Sequence, residues 1–138
     1  MIGHSTRLAA GLIAGTLAVV GATAATAHHS FAVFFSSDQD VTSVTGTVKA
    51  YRFTNPHGLI EIIAKGKDGG EQDWKVETNS PSVLVRRGWS KDSLKLGEVI
   101  TVQGWRARDG TNYMRMRNVA RADGSPVGTP APGEAPKP

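Results

Sequence analysis

The sequence predicts an all-β fold: a small five-stranded OB-like barrel with one short helix between strands 3 and 4. Three observations carry that expectation. Between residues 41 and 121 apolar and polar residues alternate at period two, and glycine-bearing turns separate the alternating runs. The one good helix start falls after the third run, and the order of three strands, a helix and two strands is that of an OB-type barrel. A small open sandwich is the main rival.

Each element has its own signal. In the first strand Val44, Gly46, Val48 and Ala50 share a face, after which the apolar parity moves to Tyr51 and Phe53, the mark of a bulged and curved strand. Ile60, Ile62 and Ala64 alternate next and end at the turn Lys65-Gly66-Lys67-Asp68-Gly69-Gly70. Trp74 and Val76 point one way while Lys75 and Glu77 point the other, giving the third strand. Ser80 then serves as N-cap with Pro81 at the first helical position. Val83 and Leu84 supply a small apolar face, and Gly88 ends the helix. Leu96 to Trp105 reads as a strand entered through the Gly97 turn. Arg108-Asp109-Gly110-Thr111 turns the chain into a last strand from Tyr113 to Val119.

Residues outside the barrel divide into three segments. Residues 1–27 read as a signal peptide: Arg7 in the n-region, an apolar stretch from Leu8 to Val20, then the cleavage motif Ala25-Thr26-Ala27. Ala22-Thr23-Ala24 is a competing cut site. The apolar stretch is short for a membrane span and no second one follows, so a periplasmic or secreted product is expected, with no membrane span after cleavage. Residues 28–40 form an N-terminal arm, and residues 41–121 the β domain. Residues 122–138 hold five of the seven prolines and almost nothing apolar, which predicts a disordered tail.

Composition excludes several function classes. Once Arg7 leaves with the leader, 15 Lys and Arg face 12 Asp and Glu, spread evenly along the chain, and no basic run with interleaved aromatics points to nucleic acid. The chain has no cysteine, which removes disulfides, a lipid anchor and thiolate zinc sites. Catalysis finds little support: no Gly-x-Ser-x-Gly, His-Glu-x-x-His or glycine-rich phosphate loop is present. The oligomeric state is not legible.

Several short segments together carry a family resemblance. These are the mature start His28-His29-Ser30-Phe31-Ala32, Gly46-Thr47-Val48, Asn55-Pro56-His57, Trp74-Lys75-Val76-Glu77, Arg87-Gly88-Trp89, the Gly97 turn and Arg108-Asp109-Gly110. Over roughly residues 28 to 125 the chain resembles a family of small secreted proteobacterial proteins classed only as a domain of unknown function. The resemblance implies an exported β domain in a Gram-negative envelope and no established activity.

The chemistry that remains rests on histidine. A cut after Ala27 makes His28 the N-terminus, so its α-amine, its imidazole and the imidazole of His29 lie close together, a nitrogen-rich chelate of the kind that Cu(II) prefers. His57 follows Pro56 in a turn and offers a third imidazole. His28, His29 and His57 are the only histidines after the leader, and copper is the ligand they point to. The bland alternative is a solvated terminus and a histidine bonded within its own turn.

Secondary candidates are Glu77, Met114 and Met116. Glu77 is either a fourth ligand or the partner of Lys75 or a cross-sheet arginine. Period-two methionines are either thioether ligands or core filler. Trp89 and Trp105 are either packing residues or an aromatic rim. The leading expectation is therefore a non-enzymatic periplasmic binding protein, with an envelope protein or metal-transfer partner. Two other readings stay open: an envelope module that binds a peptide or glycan through the barrel face, and a small copper-dependent oxidase.

Overall fold

A computed structural model describes residue 31, residues 33–36 and residues 40–131. Residues 41–121 form five strands and one helix: β1 (Val41–Arg52), β2 (Leu59–Lys65), β3 (Glu71–Glu77), α1 (Pro81–Arg86), β4 (Val99–Arg106) and β5 (Tyr113–Arg121). The strands close into a barrel in the order β1-β2-β3-β5-β4, all neighbours antiparallel except β3 and β5. Closure excludes the open sandwich and bears out the OB-like expectation. Among the described residues no helix is long and apolar enough to cross a membrane.

The change of parity in β1 has the expected cause. Its register against β2 shifts between Val48 and Ala50, so one extra residue, Lys49, turns the strand and moves the inward positions. Val48 is buried, and Tyr51 and Phe53 pack against the core from the far side of the shift. A second shift lies in β5, where Gln103 pairs with Asn118 and Gly104 with Met116. Gly104 is required there because a Cβ would stand 2.1 Å from the Arg115 carbonyl oxygen. The core between the strands contains Ile60, Ile62, Val76, Ile100 and Val102.

Helix α1 starts where Pro81 predicts, although Ser80 makes no side-chain cap and its hydroxyl lies against that of Ser82 instead. Leu84 alone is buried, so the apolar face is narrower than the Val83–Leu84 pair suggested. Gly88, at φ +78°, carries the chain out of the helix, with the amides of Gly88 and Trp89 bonded to Val85 and Leu84 carbonyls.

The expectation of disorder from Ala122 onward is corrected as far as Ala131. A tight turn held by Asp123, whose Oδ1 accepts from Ser125 N (2.9 Å) and Oγ (2.6 Å), folds the chain back along β5. Those bonds hold the Asp123 carboxyl below its usual range. Arg121 N then donates to Ser125 O, and Val127 N to Val119 O. Val127 is 4% exposed and belongs to the core. Arg87 pins the strap, donating through Nε to Thr129 O (3.0 Å) and through Nη2 to Arg117 O and Asn118 Oδ1. The strap thus bonds to β5 beyond the three residue pairs that β3 makes with it, and caps an otherwise open strand edge. Residues 132–138 lie outside the described residues.

Candidate functional site

The β1–β2 loop, the end of β3 and the start of β5 meet around one carboxylate. Glu77 closes β3, where it is in register with Leu59 of β2 and Arg115 of β5. His57 precedes Leu59 by two residues, and the loop is tied down by Thr78 N donating to Gly58 O at 2.9 Å. His57 Nδ1 lies 2.8 Å from Glu77 Oε1. The same oxygen accepts from Arg115 Nη1, while Oε2 accepts from the Tyr113 hydroxyl at 2.6 Å. Arg115 also donates to Thr78 O (2.9 Å) and Asn79 Oδ1 (2.6 Å).

This arrangement fixes the imidazole. A proton on Nδ1 is directed at Glu77, which leaves Nε2 as the nitrogen with a lone pair in the neutral ring. The His57 side chain is 49% exposed, whereas that of Glu77 is 21% exposed. Such a carboxylate–imidazole pair is the arrangement that orients histidine ligands in metal sites. It equally serves as a surface ion pair when the ring is protonated. Tyr113 is pushed up to about 12, first by burial and then by its bond to the Glu77 carboxylate.

The N-terminal arm reaches this network through Phe35. Phe35 is buried and stacks on the Tyr113 ring with centroids 6.1 Å apart and planes 18° off parallel. It forms an antiparallel bridge with Ala107, and its carbonyl accepts from Arg108 Nε at 2.7 Å. Ser36 N adds a bond to Arg106 O. A chain of direct contacts therefore runs from Phe35 through Tyr113 and Glu77 to His57.

The sequence candidates separate on this geometry. His57 and Glu77 are brought together; His28 and His29 lie outside the described residues. Glu77 has both oxygens engaged, and its partners are His57, Tyr113 and Arg115, not Lys75. Met114 and Met116 are 0% and 2% exposed and fill the core. A surface metal has no access to their thioethers. Of its two readings, Trp89 takes the packing one: it is 3% exposed, with Gly128 packed on its indole. Trp105 is half-buried beneath the Arg117 guanidinium, 5.6 Å from the ring centroid. Among the described residues no three His, Cys, Asp or Glu converge as a metal cluster, so a site at His57 needs ligands from elsewhere. Sequence reading missed Tyr113, Arg115 and Phe35 as parts of this network.

Fold and site together define a small OB-type β-barrel with a histidine held at one of its loops. The chain belongs to DUF6152, a family of unknown function, whose model matches residues 16–115. No curated protein matches the chain. Among solved structures, it is similar to a small single-stranded DNA-binding protein from Streptomyces coelicolor, at 16% identity and a TM-score of 0.40, over 62% of this chain and 94% of that one.

Proposed function

We propose that the chain is an exported, non-enzymatic periplasmic protein that binds Cu(II), with Nε2 of His57 as the barrel's contribution and His28 and His29 as the rest. The observation that supports this most is the Glu77–His57 pair at 2.8 Å, which presents the imidazole in one tautomer and orientation. Connectivity supports it further. Phe35 is fixed on Tyr113, which is bonded to the carboxylate that holds His57. Phe35 lies six positions after His29 in the chain, so a short segment ties the proposed N-terminal donors to this network. Nitrogen donors of this number suit Cu(II) over other divalent ions. Delivery to an envelope partner suits such a site better than oxidation, since one small barrel offers little room for the broad substrate face of an oxidative enzyme.

The burial of Trp89 removes half of the aromatic rim on which a peptide- or glycan-binding module would rest. The test begins with intact mass and N-terminal sequence of the exported protein, followed by Cu(II) titration of the same material. A His28 terminus, one copper per chain, and affinity at least about tenfold lower in His28→Ala and in His57→Ala are expected, about 1.4 kcal/mol each. An upstream terminus, or equal affinity in both variants, contradicts the proposal.

A further inference from the structure

A second cluster of charge lies in a groove of about 960 Å³ formed by the first residues of β1, the β2–β3 turn and the end of β4. Its fixed point is Arg106. The guanidinium stands 5.0 Å from the ring centroid of Trp74, which is 6% exposed. Nε donates to Thr111 O (3.3 Å), and Nη2 donates to Gly110 O (3.1 Å) and Asn112 Oδ1 (3.3 Å). Every one of these acceptors is a neutral oxygen, so the side chain is held in place while, among the described residues, its charge meets no carboxylate. Nη1 takes no part in these bonds.

Lys65 and Lys67 line the same groove, and among the described residues neither has an ion-pair or hydrogen-bond partner on its side chain. The lining carboxylate is Asp68, and one of its oxygens already accepts from Gly70 N at 3.1 Å. Three cations and one engaged carboxylate therefore line the groove. Three other arginines show the reverse pattern, Arg52 meeting Glu61, Arg115 meeting Glu77 and Arg121 meeting Glu98, while Arg87 and Arg108 bond neutral oxygens away from this groove. A prepositioned cation whose partners are dipoles has its charge available to a ligand, and neighbouring like charges are relieved when an anion arrives.

The remaining lining says what carries the anion. Thr42, Ser43, Thr47 and Gln72 also line the groove, residues whose hydroxyl and amide groups suit hydroxylated ligands. Trp74 is the groove's aromatic residue and its face is covered by Arg106, which leaves no platform for stacking a nucleobase. We propose that this groove binds an acidic saccharide, its phosphate or carboxylate held by Arg106, Lys65 and Lys67 and its hydroxyls by the Thr, Ser and Gln side chains. The site is separate from the copper reading and stands without it.

Calorimetric titration of the full exported chain, in a metal-chelating buffer, tests this with five probes: a hexuronate trimer, a hexose phosphate, the neutral hexose, inorganic phosphate and an oligothymidylate. One-to-one binding of the trimer or the hexose phosphate is expected, and which of them binds identifies the acid group. The neutral hexose should not bind, and the double substitution Lys65→Gln, Lys67→Gln should weaken the acidic ligand at least about tenfold, with a further loss in Arg106→Gln. The lysine pair is exposed and its loss leaves the fold intact, which keeps the test decisive if Arg106→Gln unfolds. Binding of inorganic phosphate as tight as that of the saccharides, binding of the oligothymidylate alone, unchanged affinity in the lysine variant, or no binding of any probe would each overturn the proposal.

Discussion

The Glu77 network and the Arg106 groove use the same residue types to different ends. At Glu77, an arginine, a tyrosine hydroxyl and a histidine converge on one carboxylate, so charge is balanced inside the protein and the geometry of His57 is fixed by it. At Arg106 the guanidinium is held by carbonyl and amide oxygens over Trp74, and its charge stays unbalanced. The first arrangement makes stability depend on a carboxylate. The second leaves charge for something outside the chain.

The largest expected effect of that difference is on folding free energy. Glu77→Ala leaves the Arg115 guanidinium, whose side chain is 16% exposed, facing no carboxylate. It should cost about 3 kcal/mol by urea denaturation, and Arg106→Gln about 1 kcal/mol, because only neutral acceptors and the Trp74 contact are lost. Equal losses would erase the distinction between the two clusters.

Next in size is a control outside both clusters. Val127→Ala should lower stability by about 2 kcal/mol, since it removes a buried side chain from the strap. It should leave copper and saccharide affinities as they were. A change in either affinity would show that the strap, and not the local side chains, sets the site.

Alkaline pH should separate the clusters more subtly. Tyr113 in the network is pushed up to about 12 from an ordinary 10.0, and Tyr51, buried against the core, likewise to about 12. Both stay neutral in the folded chain where the unfolded chain ionises. The folded state then holds more protons, and stability falls as pH rises from about 10 toward 12. Tyr113→Phe should make that fall shallower in denaturation midpoints taken across this window, whereas the lysine variant of the groove should not. An unchanged slope in Tyr113→Phe would mean that neither burial nor the Glu77 bond raises this hydroxyl in the folded chain.

The smallest effect is the most discriminating. Lys65→Gln with Lys67→Gln should leave stability within about 0.5 kcal/mol of the parent, or raise it, because the pair has no partner to lose. A clear loss would mean that these lysines serve the fold.

Much of the barrel was legible in the sequence because alternation is local. The shift from Val48 to Tyr51 announced the bulge in β1, and Pro81 announced the helix. Asn55-Pro56-His57 placed a histidine in the loop that the structure confirms. The partner of that histidine was harder to see. Glu77 and Arg115 are 38 residues apart and meet through the parallel β3–β5 pairing that closes the barrel, which no window of alternating residues contains. The reading of Glu77 as the partner of a cross-sheet arginine was right in kind, and His57 and Tyr113 came with it. The strap escaped because composition averages over many prolines and glycines, and a single valine, Val127, carries its burial. Trp89 was ambiguous for a similar reason: one aromatic after a turn has no period to tell core from rim.

Electron paramagnetic resonance of the one-copper exported protein, beside its His57→Ala variant, tests the central claim most directly. The account predicts a multi-nitrogen Cu(II) spectrum that loses one imidazole coupling when His57 is replaced, and the same loss of definition, with the imidazole retained, in Glu77→Gln if that chain folds. Identical spectra for the parent and His57→Ala would show that the barrel contributes no ligand, and would reduce the N-terminal histidines to a chelate independent of the fold.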